Sequence, residues 1–152
     1  MSYQAINRTA VLLITLYSLF TLTSCKSVEN TENTGVQTLS QSTFETLVNP
    51  IFDANIGGRT CASTGCHATP GGSGGSFIIY PNAAGDAFKL AGNYNSALSF
   101  ANLVNPAQSK LLLEPLTGIF SSVGSHAGGD IFTQGDANYT IIFNWINSPI
   151  TP

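Results

Sequence analysis

The run Cys61-Ala62-Ser63-Thr64-Gly65-Cys66-His67 constrains this chain more than any other feature. Four residues separate two thiols, and an imidazole follows the second directly. Covalent haem attachment needs this set. Each thiol forms a thioether with one vinyl group, and the adjoining imidazole then lands on the iron as proximal ligand. The usual spacing is C-x-x-C-H. Here the gap is longer, and its small residues let the loop bulge away from the ring. Other readings of the same residues stay open. A Cys61–Cys66 disulfide in an oxidising compartment accounts for the thiols and leaves His67 a coincidence. Tetrahedral zinc on two Cys and two His is a second, although neighbours such as Cys66 and His67 chelate one tetrahedral ion poorly. A chance arrangement on a surface loop is a third. One covalent haem c explains all three residues together and is the expectation.

The N-terminus reads as a targeting signal. Arg8 is the only charge before an apolar run from Ala10 to Leu22. That run falls short of the ~20 residues that span a bilayer comfortably. It ends in Leu22-Thr23-Ser24-Cys25, which resembles the bacterial lipobox. The resemblance implies a signal peptide over residues 1–24, lipid on Cys25, and a cell-envelope location reached by export, tethered to a membrane surface. Residues 25–41 are rich in Ser, Thr, Asn, Gln and Glu and lack apolar periodicity, so they read as a flexible tether. Residues 42–152 are the expected folded domain.

Composition narrows the function classes. The chain of 152 residues is 43% apolar and only 9% charged, with net charge −3. Soluble domains average ~25% charged residues. There is no basic stripe or charge run, so nucleic acid is not an expected partner. Removing the leader takes away Met1, the one methionine.

Spacing predicts a mainly α domain. Phe44, Leu47, Val48, Ile51 and Phe52 mark one face of an amphipathic helix, with Ser42 or Thr43 placed to cap it. Pro50 predicts a kink or early end, and Gly57-Gly58 closes the element. A second helix, capped by Gly135-Asp136, presents Tyr139, Ile142, Phe143 and Ile146, widened by Ile141 and Trp145, and stops at Pro149. Between them the sequence predicts a helix over 95–104, a short extended run Phe77-Ile78-Ile79-Tyr80, and long glycine-rich loops. Such loops in so small a body predict that something else fills its centre.

A helix before the haem motif and another at the C-terminus resemble the two packed helices of class I c-type cytochromes. More narrowly, residues 44–146 resemble a group of bacterial monohaem cytochrome c-like domains. The matching segments are Gly71 to Gly75, Ile79-Tyr80-Pro81, Asn105-Pro106, Ser109 to Leu116, His126 to Gly129, and Asp136, Tyr139 and Trp145-Ile146. Ala127, where the group often has glycine, and the extra stretch Ile119 to Ser125 depart from the pattern. The resemblance implies a small cytochrome c-like fold around covalent haem and a role in electron transfer with redox protein partners.

Class I cytochromes often use methionine as the sixth ligand. The mature chain has none. Elimination leaves His126, with Lys89 and Lys110 behind it and a surface histidine as the bland alternative. Two strong ligands make an electron carrier rather than an enzyme, and no catalytic residues are expected. An open iron face would make a small-ligand sensor or a peroxidase. A non-haem, disulfide-containing surface lipoprotein is the third class.

Overall fold

The computed structural model describes residues 37–69, 75–118, 126 and 128–151. The leader, Cys25, most of the tether, Gly71–Gly74, Ile119–Ser125 and Ala127 lie outside the described residues. The described residues all fall in one compact unit, Gly35–Pro152. It is mainly helical, and among the described residues β-structure is limited to isolated bridges. No described helix is long and apolar enough to cross a membrane.

Helix α1 is built from three consecutive stretches, Gln41–Thr43, a π-helical Phe44–Val48, and Asn49–Asp53. Ser40, rather than Ser42 or Thr43, is its cap, accepting from the Thr43 amide. Pro50 neither ends nor stops the helix. The amide of Asn49 reaches back to the Phe44 carbonyl, five residues away, and this wider turn admits a residue that has no N–H to give. The widening also rotates the buried stripe. Phe44, Val48, Asn49, Ile51 and Phe52 are buried, while Leu47, expected in the core, is 52% exposed.

The unit takes in residues ahead of the expected start near Ser42. Thr38 and Ile150 exchange both backbone hydrogen bonds, at 3.0 and 2.7 Å. Leu39 is buried and its carbonyl accepts from the Tyr94 hydroxyl at 2.7 Å.

Helix α2 spans Ala87–Ser99, earlier than the expected 95–104. Its cap is Asp86, whose carboxylate takes the amides of Phe88 and Lys89. The same Gly-Asp pair that marks the last helix, at Gly135-Asp136, stands here at Gly85-Asp86. After Phe100 the chain turns on Asn102, whose side chain accepts from the amides of Val104 and Asn105. A 3₁₀ turn, Pro106–Gln108, leads into the short α3, Lys110–Leu113. Helix α4 spans Ala137–Ile146, capped by Asp136 through the Tyr139 amide at 2.7 Å.

Helix α1 packs against α2 and α4. Phe44 is the centre of that packing, with ring centres of Trp145, Tyr94 and Phe52 at 5.2, 5.6 and 5.9 Å. The Trp145 indole N–H donates to the Ser40 carbonyl at 3.0 Å, so the largest ring in the core has its polar atom satisfied. Phe52, at the far end of α1, turns from this cluster toward the loops and meets Phe77 edge-on at 5.7 Å.

Candidate functional site

The segment from Cys61 to His67 starts at the end of a tight turn. Gly57 and Gly58 both have positive φ, at 61° and 87°, and Ile56 and Arg59 bond across them, the geometry of a two-residue turn that only glycine forms without strain. The Ala62 amide then bonds to the Phe52 carbonyl at 2.9 Å, fastening the segment to the end of α1. The residues between the cysteines curl back on themselves. Cys66 N bonds to Ser63 O at 3.0 Å, and His67 N returns to Cys61 O at 3.2 Å. The longer gap is therefore taken up inside the loop, and Cys61 and His67 end as backbone neighbours.

Cys61 is buried, Cys66 is half-buried, and both are free thiols. Burial pushes the Cys61 thiol up to about 11, a backbone hydrogen bond opposes this, and the nearby Cys66 and Asp53 add to the rise. Its surroundings suit neutral sulfur, as a thiol or thioether.

His67 is fixed by its ring and its backbone. Its Nδ1 lies 2.8 Å from the Phe77 carbonyl, and Phe77 meets the imidazole edge-on at 4.8 Å. Ile79 N donates to His67 O at 2.8 Å, and Thr69 N to Ile79 O at 2.9 Å. The extended run expected from Phe77 to Tyr80 thus serves as the rail on which His67 sits. The rail is pinned by Asn93, 1% exposed in the middle of α2. Its side chain accepts from Tyr80 N at 2.7 Å and donates to Tyr80 O at 3.0 Å and to Asn49 Oδ1 at 2.8 Å. Gly92 beside it is required by close approach, since a Cβ there would lie 2.7 Å from the Tyr80 ring. Sequence reasoning missed Asn93. Replacing it with alanine strands the Asn49 and Tyr80 groups, and each stranded buried group costs ~1–3 kcal/mol. Urea unfolding of Asn93→Ala is expected to show a loss of roughly 2–4 kcal/mol, where an exposed substitution stays within about 0.5.

His126 faces His67. The two rings stand 5.9 Å apart between centres and only 14° from parallel. His126 Nδ1 lies 2.8 Å from the Gly129 carbonyl, and Gly129 N returns to the His126 carbonyl at 2.7 Å. A carbonyl can only accept, so in both histidines Nδ1 carries the proton and Nε2 is the lone-pair nitrogen. This is the arrangement by which metal-binding histidines are oriented.

The histidine pair stands between two cavities that both border Cys61, Cys66, His67 and His126. The larger, about 470 Å3, is walled by Phe52, Phe77, Phe100, Leu111, Phe132 and Ile142, with Lys110 and Glu114 also on its lining. The smaller, about 290 Å3, adds Arg59, Thr60 and Ser63. Volumes of this size hold a drug-sized or cofactor-sized ligand. Phe132 reaches the larger wall because Thr117 N bonds to Phe132 O, while Ile131 N and Phe132 N both bond to Pro115 O. Of the two lysines, Lys110 borders the larger cavity, and Lys89 instead directs its amine toward the Pro81 carbonyl at 3.5 Å. Among the described residues no three His, Cys, Asp or Glu side chains converge as one metal cluster. The two histidines and the two thiols border the same cavities. No protein-family model, curated protein or solved structure matches the chain.

Proposed function

We propose that this chain is a c-type cytochrome, carrying one covalent haem, transferring electrons, and held at the cell envelope by lipid on Cys25. The observation that carries the reading is the facing pair of His67 and His126, near parallel, each with its Nδ1 proton given to a carbonyl, in a cavity bordered by two free thiols. Cys61 and Cys66 would hold the porphyrin. In each attachment a C–S bond forms to one vinyl carbon and the thiol proton passes to the other, so no oxidant is consumed. His67 would be the proximal ligand and His126 the distal one. Helix α1 ahead of the motif and α4 at the end of the chain pack together, which supports the cytochrome c-like arrangement.

Haem supplies a one-electron iron couple; the rest belongs to the chain. His67 and His126, each oriented by a carbonyl, would hold the iron. The aromatic walls exclude water and lower the local dielectric, which is a protein's main means of tuning such a site. Redox partners would meet the mouth of the larger cavity, where Gly75, Ser76 and Lys110 are exposed.

Protein produced with a haem-attachment system tests the reading by intact mass and by haem staining after denaturing electrophoresis. One haem that survives denaturation is expected, on a chain that begins at lipid-bearing Cys25. Cys61→Ala combined with Cys66→Ala is expected to abolish the stain. Matured wild-type protein without covalent haem, or a stain that survives both substitutions, would falsify the reading.

A further inference from the structure

The Arg59 guanidinium lies flat against the backbone of Gly129. A Cβ added at Gly129 would collide with Nη1 and lie 2.5 Å from Cζ and 2.9 Å from Nη2. Gly129 has φ of 81°, where side chains are rarely accommodated. Its carbonyl receives the Nδ1 proton of His126. Arg59 is sent there by the Gly57-Gly58 turn, just ahead of Cys61, and it borders the smaller cavity together with both histidines. Three things therefore meet at one point: a cation, the turn that carries His126, and the acceptor that orients its ring.

We propose that Arg59 is a positioning residue that holds the His126–Gly129 turn against the cavity and, through its charge, sets how strongly His126 donates to iron. The inference rests on the haem reading. Its two electrical effects share a sign. A cation packed against the Gly129 backbone draws density from that residue's carbonyl, which lessens its pull on the Nδ1 proton and leaves Nε2 a poorer donor. The same cation disfavours the extra positive charge of ferric iron. Both effects favour the ferrous form. Arg59 is exposed, and so is Asp130, which follows Gly129, so solvent screening keeps the effect moderate.

The test is the reduction potential of haem-loaded Arg59→Gln and Arg59→Lys, with optical spectra alongside. In Arg59→Gln the equilibrium constant for reduction is expected to fall about threefold to tenfold, tenfold being 59 mV for one electron, with the spectrum still low-spin. Arg59→Lys keeps the charge and is expected to recover most of that shift. An Arg59→Gln protein that turns high-spin also supports the inference, since the turn has then released His126. An unchanged potential in Arg59→Gln, or equal falls in both variants, overturns it while covalent haem and a low-spin spectrum remain. Protein that carries no covalent haem overturns the haem reading itself, and the inference with it.

Discussion

Replacing His126 with alanine is expected to convert a low-spin, six-coordinate haem into a high-spin one that binds carbon monoxide as soon as it is reduced. Wild-type protein is expected to stay low-spin and take up carbon monoxide slowly or not at all. The argument starts from what the chain has to offer. Met1 is the one methionine, in the expected leader, and His126 is the one histidine besides His67. The structure then brings the two rings to 5.9 Å with their Nδ1 atoms on carbonyls. A second imidazole in place of a thioether also places the reduction potential below that of a methionine-ligated carrier. Wild-type protein that is already high-spin and binds carbon monoxide at once would remove His126 from the coordination sphere. The open-iron reading, a ligand sensor or a peroxidase, would then overtake the electron carrier. A His126→Ala spectrum that stays low-spin would point to Lys110, which borders the larger cavity, ahead of Lys89, whose amine faces Pro81.

What could be read from the sequence was local. The thiols and His67 lie within seven residues, so their joint chemistry needs no knowledge of the fold. Asp136 caps α4 as its Gly-Asp signal predicts, and the identical signal at Gly85-Asp86 marks the true start of α2. The start of α2 is thus legible in the sequence, ahead of the expected 95–104. Leu47 is a different kind of miss. Its exposure follows from the π turn that accommodates Pro50, and spacing rules assume one helical period throughout. Asn93 had no local signal at all. It joins Tyr80, thirteen residues away, to Asn49, forty-four residues away, and an asparagine inside an otherwise ordinary helix resembles any polar surface residue until its partners are known. The support of His67 by Phe77 and of His126 by Gly129 is intermediate. Both acceptors are backbone carbonyls, which every residue carries, so nothing in their side chains announces the role.

Protein lacking haem is expected to keep much of its helix and lose its fixed tertiary packing. The reason is the cavity. The larger cavity is open, with Gly75, Ser76 and Lys110 exposed on its lining, so without haem water wets the rings of Phe52, Phe77, Phe100 and Phe132, and each Å2 of apolar surface left wet forgoes ~25 cal/mol. On the other side of α1 the Phe44–Trp145–Tyr94 cluster does not depend on the cavity, and it can keep α1, α2 and α4 loosely together. The double variant Cys61→Ala and Cys66→Ala, made without haem, is therefore expected to retain a far-ultraviolet helical signal, show a weak near-ultraviolet signal from Trp145, bind a hydrophobic dye, and unfold without a sharp transition. The haem-loaded wild type is expected to melt cooperatively. A haem-free protein that melts sharply within a few degrees of the loaded one would show that the chain closes its own centre, and that the walls around His67 and His126 do not need a cofactor to support them.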